Sequence, residues 1–135
     1  MRIIVCLDEN GGMLFNHRRQ SRDRIVVADI AKYAKERNLY TNTFSASLFD
    51  EIPNITVSDS FLEEASEDDF CFVENISLKQ YQNQIKEIIV YHWNRTYPSD
   101  FNFDINLNNG VWKCSEITEL KGYSHEKITK EVYKK

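Results

Sequence analysis

The chain has 135 residues, of which 41% are hydrophobic and 28% charged, and its formal net charge is −4. This length and composition predict one α/β domain over residues 1–135 that buries a core without staples. The net negative charge excludes a global electrostatic attraction to nucleic acid, although a local basic patch is compatible with that charge. No apolar run approaches the ~20 residues of a membrane span, and the N-terminal one is too short for a signal peptide. We therefore expect a cytoplasmic protein.

The N-terminal half alternates strand and helix patterns. Residues 3–7 are continuously apolar, which is typical of a central strand buried on both faces. A turn at 8–12 follows, and then a helix over about 22–36, which Ser21 can cap and in which Asp23 occupies the first turn. Further strands are predicted at 39–43, 55–57, 70–73 and 88–93, and short helical segments at 45–49, 61–65 and from Asn75 or Ser77 to Gln84.

The last third of the chain changes to antiparallel patterns. Apolar and polar residues alternate over 101–105, which indicates a half-buried strand. Asn109-Gly110 is a strong turn dipeptide, a strand is predicted at 112–115, and the tail over 125–133 alternates again. These features predict an antiparallel C-terminal strand pair.

This order of elements resembles dihydrofolate reductase. Residues 4–12 resemble the first strand and loop of that family, an apolar run followed by D-x-N-x-x-I-G. Residues 88–91, 97–103 and 112–115 resemble its closing strands, and Tyr133-Lys134 matches a terminal tyrosine–basic pair. The resemblance implies a twisted, mainly parallel sheet flanked by helices, with an antiparallel C-terminal strand pair.

The cofactor motifs of the family are missing. Where reductases place Gly-Gly before a helix, so that backbone amides reach a pyrophosphate, the chain reads Val73-Glu74-Asn75-Ile76. The Gly-Arg-x-Thr element has only Asn42-Thr43-Phe44-Ser45 as its counterpart, and the L-P-W loop is replaced by residues 16–21. We therefore expect no cofactor, and no ordinary NADPH binding.

A second resemblance is to a small bacterial family, some members of which are labelled ribonuclease Z. It is carried by the stretches CLDENGGMLFNHRRQSRDR, YHWNRTYPSDF and SHEKITKEVYKK. That label implies a zinc nuclease with an H-x-H-x-D-H cluster. The three histidines, His17, His92 and His125, are scattered, and no cysteine spacing suits zinc, so the sequence predicts no metal site.

Asp29 is the candidate catalytic residue. Reductases place an acid on the first helix, facing the pteridine, and Asp29 shares a helical face with Ile25, Val26 and Tyr33. A solvated position at the edge of this apolar stripe is the alternative. Asp23 is a second choice, but a favourable charge at a helix start accounts for it.

The candidate ligand-binding residues are basic or aromatic. Arg18, Arg19 and Arg22 crowd the approach to the predicted helix, where guanidinium groups suit phosphate or carboxylate; a solvated loop is the alternative. Trp93 and Arg95 follow a buried strand, where they could stack a planar base; a core Trp93 and a surface Arg95 are the alternative.

Two further stretches contain nucleophilic side chains, but they are weaker candidates for a catalytic site than Asp29. Ser124-His125-Glu126-Lys127 contains the side chains of a triad, but neighbours on a strand point to opposite faces. Cys6 lies in an apolar strand, which suggests an inert thiol. Neither pattern predicts a catalytic site.

The sequence supports two functional hypotheses. One is a protein that binds a small anionic or nucleotide-like molecule in a cleft near the end of the first strand, with or without catalysis. The other is a non-enzymatic regulatory module that contacts RNA or protein and has lost reductase chemistry. A homodimer is left open.

Overall fold

The computed structural model describes residues 1–135 and contains ten strands and two α-helices. The strands are β1 Arg2–Leu7, β2 Gly12–Phe15, β3 Arg18–Arg19, β4 Leu39–Thr41, β5 Ile55–Val57, β6 Phe70–Phe72, β7 Glu87–His92, β8 Phe101–Asn102, β9 Lys113–Leu120 and β10 Ile128–Lys134. The helices are α1 Arg24–Ala31 and α2 Phe61–Glu64, with 3₁₀ helices at Lys32–Lys35, Ala46–Phe49 and Lys79–Gln84.

The main sheet has seven strands in the order β5-β4-β6-β1-β7-β10-β9. The first five are parallel, because β1 pairs in parallel with β6 and β7, and β4 pairs in parallel with β5 and β6. Strand β10 runs antiparallel to both β7 and β9. The predicted fold class, a mainly parallel sheet with an antiparallel C-terminal pair, is confirmed.

Apolar side chains cover both faces of the sheet, which explains why β1 is continuously apolar. Ile3 and Val5 point to one face and Ile4 to the other, and all three are fully buried. The face of Ile4 carries α1 through Val26 and Ile30. This packing fixes the start of α1 beside the carboxyl ends of the central strands.

A hairpin, which the sequence analysis did not predict, carries part of the basic cluster. Strands β2 and β3 pair across the two residues Asn16 and His17, whose φ angles are 52° and 62°. Left-handed conformations at both turn residues are typical of the tight hairpin turn that suits twisted strands. Arg18 and Arg19 therefore lie on a strand, in a small sheet of order β3-β2-β8, and not at a helix start.

Helix α1 begins two residues later than predicted, because Asp23 and not Ser21 is its N-cap. Asp23 is extended (φ −151°, ψ 129°), and its carboxylate accepts a hydrogen bond from the Ile25 amide. The predicted continuation to residue 36 is a 3₁₀ turn, as is the last predicted helix. No helix has both the length and the hydropathy to cross a membrane.

Candidate functional site

A narrow crevice lies between the start of α1 and the carboxyl ends of β1 and β7, where ligands of parallel sheets commonly bind. We call it the inner crevice. Its volume is about 10 Å³, which is room for about one water molecule. It is lined by Cys6, Ser21, Arg22, Asp23, Val26, Val27, Ile30, Leu48, Phe72, Glu74 and Trp93.

A wider groove of about 540 Å³ continues from the inner crevice along α1 towards residues 47–52. We call it the outer groove. The two spaces are neighbours, since Arg22, Val27 and Leu48 line both of them. The outer groove is lined by Arg22, Arg24, Val27, Ala28, Ser47, Leu48, Asp50, Glu51 and Ile52.

Unpaired charges of both signs border the outer groove. Arg22 and Arg24 stand on the α1 side, and Asp50 and Glu51 on the other; all four are exposed and none takes part in an ion pair. The Arg24 guanidinium lies 4.0 Å above the Tyr123 ring. The groove therefore offers donors for an anion and acceptors for hydroxyl or amino groups.

Asp23 ties the start of α1 to the loop before β10. One carboxylate oxygen accepts hydrogen bonds from the amides of Ile25 and Tyr123, each at 2.9 Å. The other accepts from the amide of Ser124 at 2.8 Å and from Nδ1 of His125 at 2.9 Å. Burial acts to raise the pKa of Asp23, but these hydrogen bonds outweigh it and hold the pKa well below its usual range. Asp23 is therefore an ionised acceptor.

His125 connects Asp23 to Ser21. Its Nδ1 faces the Asp23 carboxylate, and its Nε2 lies 2.8 Å from the hydroxyl of Ser21. The ring is 5% exposed and stacks on Trp93, with 4.7 Å between centroids and 27° between planes. The Tyr97 hydroxyl lies 3.4 Å from the same Nε2. Trp93 is thus a buried support for His125 that also lines the inner crevice.

Glu74 forms the opposite wall of the inner crevice and is held in place by Arg19. The Arg19 guanidinium donates two hydrogen bonds to the Glu74 carboxylate, at 2.8 and 2.9 Å, and the Ser45 hydroxyl donates a third at 2.6 Å. Arg19 also lies 5.5 Å from the centre of the Phe44 ring. Burial, reinforced by the Glu74 charge, raises the pKa of the Cys6 thiol well above its usual value. Cys6 is therefore protonated.

These residues do not fit the dinucleotide that the resemblance to reductases implies. Glu74 and Asn75 stand where adjacent glycines would let backbone approach a pyrophosphate, and the Glu74 carboxylate is buried there. The helical segment that follows, Lys79–Gln84, is 3₁₀ and starts only after several further residues. The Asn42 side chain donates to Asn75 across the same place. Side chains therefore fill the place of the pyrophosphate, and the Arg19 guanidinium there is already paired with Glu74.

The turn after β1 is also organised by a carboxylate. Asp8 accepts hydrogen bonds from the amides of Asn10 at 2.9 Å, Gly12 at 2.7 Å and Tyr97 at 3.1 Å. Burial acts to raise the pKa of Asp8, but these bonds lower it below its usual value. A Cβ at Gly12 would lie 2.7 Å from the Cβ of Ser99, which cannot rotate away, so glycine is required for this close approach. The amides of the turn serve Asp8, not a phosphate.

The predicted ligand-binding residues are placed in different environments. Arg22 and Trp93 both line the inner crevice, and Arg19 reaches it through Glu74. Arg18 is exposed on the hairpin, and Arg95 is exposed after β7, where its carbonyl accepts from the Glu9 amide. The structure therefore brings two of the five, Arg22 and Trp93, to the crevice, and Arg19 contacts its wall as the ion-pair partner of Glu74.

Asp29, the predicted catalytic residue, lies away from both spaces. Its carboxylate accepts hydrogen bonds from the Tyr91 hydroxyl at 2.5 Å and from the Lys130 ammonium at 2.7 Å. Burial acts to raise the pKa of Asp29, but Lys130 and Tyr91 outweigh it and lower the pKa below its usual value. Asp29 is ionised and links α1 to β7 and β10, and it lines neither the crevice nor the groove.

Local sequence patterns do not bring Ser21, Asp23 and His125 together. They indicate a helix cap at Ser21, a favourable charge at a helix start for Asp23, and a strand for His125 beside Ser124 and Glu126. The available signal was local: a serine two residues before an acid, at the end of a loop that enters a helix. The partner histidine lies about 100 residues away, so only the tertiary fold supplies it.

Comparisons with known proteins support the fold. No protein-family model and no curated protein match the sequence. The structure is similar to a dihydrofolate reductase from Enterococcus faecalis complexed with NADP(H) and RAB-propyl, with a TM-score of 0.64 and 13% identity, over 98% of this chain and 94% of that one. At this identity the similarity shows the fold alone, and it confirms the predicted reductase-like architecture. The resemblance to the family labelled ribonuclease Z is not shown.

Proposed function

We propose that this chain binds a small anionic, nucleotide-like molecule in the outer groove, with one end of the molecule at the inner crevice. The observation that carries the proposal is the position of Arg22, an unpaired cation that borders both spaces. If Arg22 holds the anionic group, the rest of the molecule lies in the outer groove along α1.

The chemistry of the groove favours a nucleotide over a simple anion. Arg22 and Arg24 offer guanidinium donors, which match phosphate geometry. Asp50 and Glu51 accept hydrogen bonds from ribose hydroxyls or exocyclic amino groups. Leu48, with its apolar neighbours, gives a surface for a flat ring. A nucleoside monophosphate carries all three features, whereas inorganic phosphate uses only the arginines.

Isothermal titration calorimetry with nucleoside monophosphates tests the proposal, with nucleosides and inorganic phosphate as reference ligands. A monophosphate is expected to bind at least about tenfold more tightly than either reference, since each of those forms only part of the contacts. Arg22→Gln should weaken binding by roughly 10- to 100-fold, because a charge-assisted hydrogen bond contributes about 1.5–3 kcal/mol.

Two variants serve as matched controls. Arg18→Gln removes an exposed arginine of the same segment that lines neither space, and Asp29→Asn removes a carboxylate of α1 with its own internal partners. Both should change the affinity by less than about twofold. Equal losses in the Arg18 and Arg22 variants, or no saturable binding by any monophosphate, would overturn the proposal. A tenfold loss in Asp29→Asn would place Asp29 in the ligand site.

A non-enzymatic module that contacts RNA is the second candidate. The observation in its favour is that Arg18 and Arg95 are exposed and form no ion pair. Titration with single-stranded RNA at rising salt separates the two. A steep fall of affinity with salt, with Arg18→Gln and Arg95→Gln as damaging as Arg22→Gln, would favour RNA.

NADPH should give no tight binding, because Glu74 occupies the corresponding surface.

A further inference from the structure

Ser21, His125 and Asp23 form a hydrogen-bonded relay at the inner crevice. Ser21 Oγ lies 2.8 Å from His125 Nε2, and His125 Nδ1 lies 2.9 Å from Asp23 Oδ2. We propose that Ser21 is a nucleophile for acyl transfer, with His125 as its base and Asp23 as a positioning residue, and that the chain hydrolyses carboxylic esters. One part of this proposal rests on the proposed function, namely that the substrate is an anionic ester lying in the outer groove.

The donors and acceptors of the relay can be assigned from the ionised Asp23. Asp23 is ionised and can only accept, so His125 Nδ1 carries a proton and donates a hydrogen bond to the carboxylate. In a neutral ring, Nε2 is then unprotonated and accepts the Ser21 hydroxyl. This is the arrangement that a serine nucleophile needs, with the hydroxyl proton aimed at a base that a carboxylate orients.

The surroundings hold the base in place on several sides. The Trp93 ring stacks on His125, and the Tyr97 hydroxyl lies 3.4 Å from Nε2, beside the serine. Ser21 itself does not cap α1, since Asp23 does, so the helix start does not require the Ser21 hydroxyl. Its hydrogen-bond partner is the ring nitrogen.

Ser21 also lies on the wall of the inner crevice and is not sealed in the core. It is partly exposed and lines the inner crevice next to Arg22, which borders the outer groove. The crevice has room for about one water, the second reactant of a hydrolysis. The other nucleophile of the crevice, Cys6, is held as a thiol by burial and by the Glu74 charge, so it does not compete.

The proposed reaction balances with water alone. Ser21 Oγ bonds to the ester carbonyl carbon while its proton moves to His125 Nε2, and the ring gives that proton to the departing alkoxide as the carbon–oxygen bond breaks. Water then attacks the acyl-serine and passes a proton to Nε2, which returns it to Ser21 Oγ. Ester and water give acid and alcohol, with no change of oxidation state.

A fluorophosphonate probe followed by peptide mass mapping, together with hydrolysis of p-nitrophenyl acetate, tests the relay in the full chain. We expect labelling at Ser21 and a burst of p-nitrophenol. Ser21→Ala and His125→Gln should each lower the rates by roughly 100-fold or more. Ser99→Ala, which removes another partly buried serine, should keep both rates.

Thermal melts check that the variants fold. Ser21→Ala should keep the parent fold, because the helix cap does not use the Ser21 hydroxyl, but its Tm should fall by roughly 3–10 °C because the buried His125 Nε2 loses that hydrogen bond. Labelling that persists in Ser21→Ala, labelling at Ser124, or no labelling of the folded parent would overturn the proposal. The probe needs no ligand in the outer groove. Labelling of Ser21 without nucleotide binding would therefore overturn only the proposed function, and the reverse result only the relay.

Discussion

Replacing Asp23 by asparagine tests the centre of the site. The amide group of asparagine would stand in place of one carboxylate oxygen and face donors that the carboxylate now satisfies. For Oδ2 these are the amides of Ser124 and His125, the Ser124 hydroxyl and the ring of His125. The hydroxyl can rotate and the ring can move its proton, but the two amides cannot adapt.

The size of the effect follows from those two amides. Each buried donor left without an acceptor costs about 1–3 kcal/mol, so Asp23→Asn should lower the free energy of unfolding by about 2–6 kcal/mol. That is a large share of the roughly 5–15 kcal/mol typical of a domain, and for a chain of 135 residues it corresponds to a fall in Tm of roughly 7–20 °C. Urea titration followed by circular dichroism measures it. Asp100→Asn is the control, since Asp100 is exposed and accepts only from the Asn16 amide.

The pH dependence gives an independent check. The pKa of Asp23 is lower in the folded state than in the unfolded state. Its stabilising contribution is therefore complete above the unfolded value and is lost as the pH falls from about 5 through the folded value. The stability gap between the parent chain and Asp23→Asn should narrow over that range. A gap below about 0.5 kcal/mol at neutral pH, or one that does not change with pH, would refute the described hydrogen bonds.

Two other features give direct tests. Arg19→Met leaves the buried Glu74 carboxylate without its ion-pair partner and should lower the free energy of unfolding, measured by urea titration, by about 3–5 kcal/mol. Adding Glu74→Leu should recover most of that loss, because no unpaired charge then remains buried. A double variant no more stable than the single one would contradict this. Ellman's reagent should react quickly with the exposed Cys114 and slowly with Cys6, whose thiol pKa is raised by burial. A fast phase that survives in Cys114→Ser and disappears when Cys6→Ser is added would show that Cys6 is accessible and reactive.

The central strand shows what local pattern can predict. Residues 3–7 are continuously apolar because β1 contributes side chains to both cores of the sheet, and that requirement is visible in the sequence itself. The same holds for β6 and β7 and for the alternating β10. The hairpin β2–β3 was missed because its left-handed turn residues are Asn16 and His17 rather than an Asn-Gly pair.

The sequence by itself determined the fold class and the absence of the family's glycine pair, since both depend on residue types that stand close together in the chain. The tertiary structure alone decided the site. Arg19 meets Glu74, and Ser21 and Asp23 meet His125, across separations of 55, 104 and 102 residues. No periodicity records such pairs, because they form only when the packing of α1 on the sheet brings the loop before β10 against the helix start.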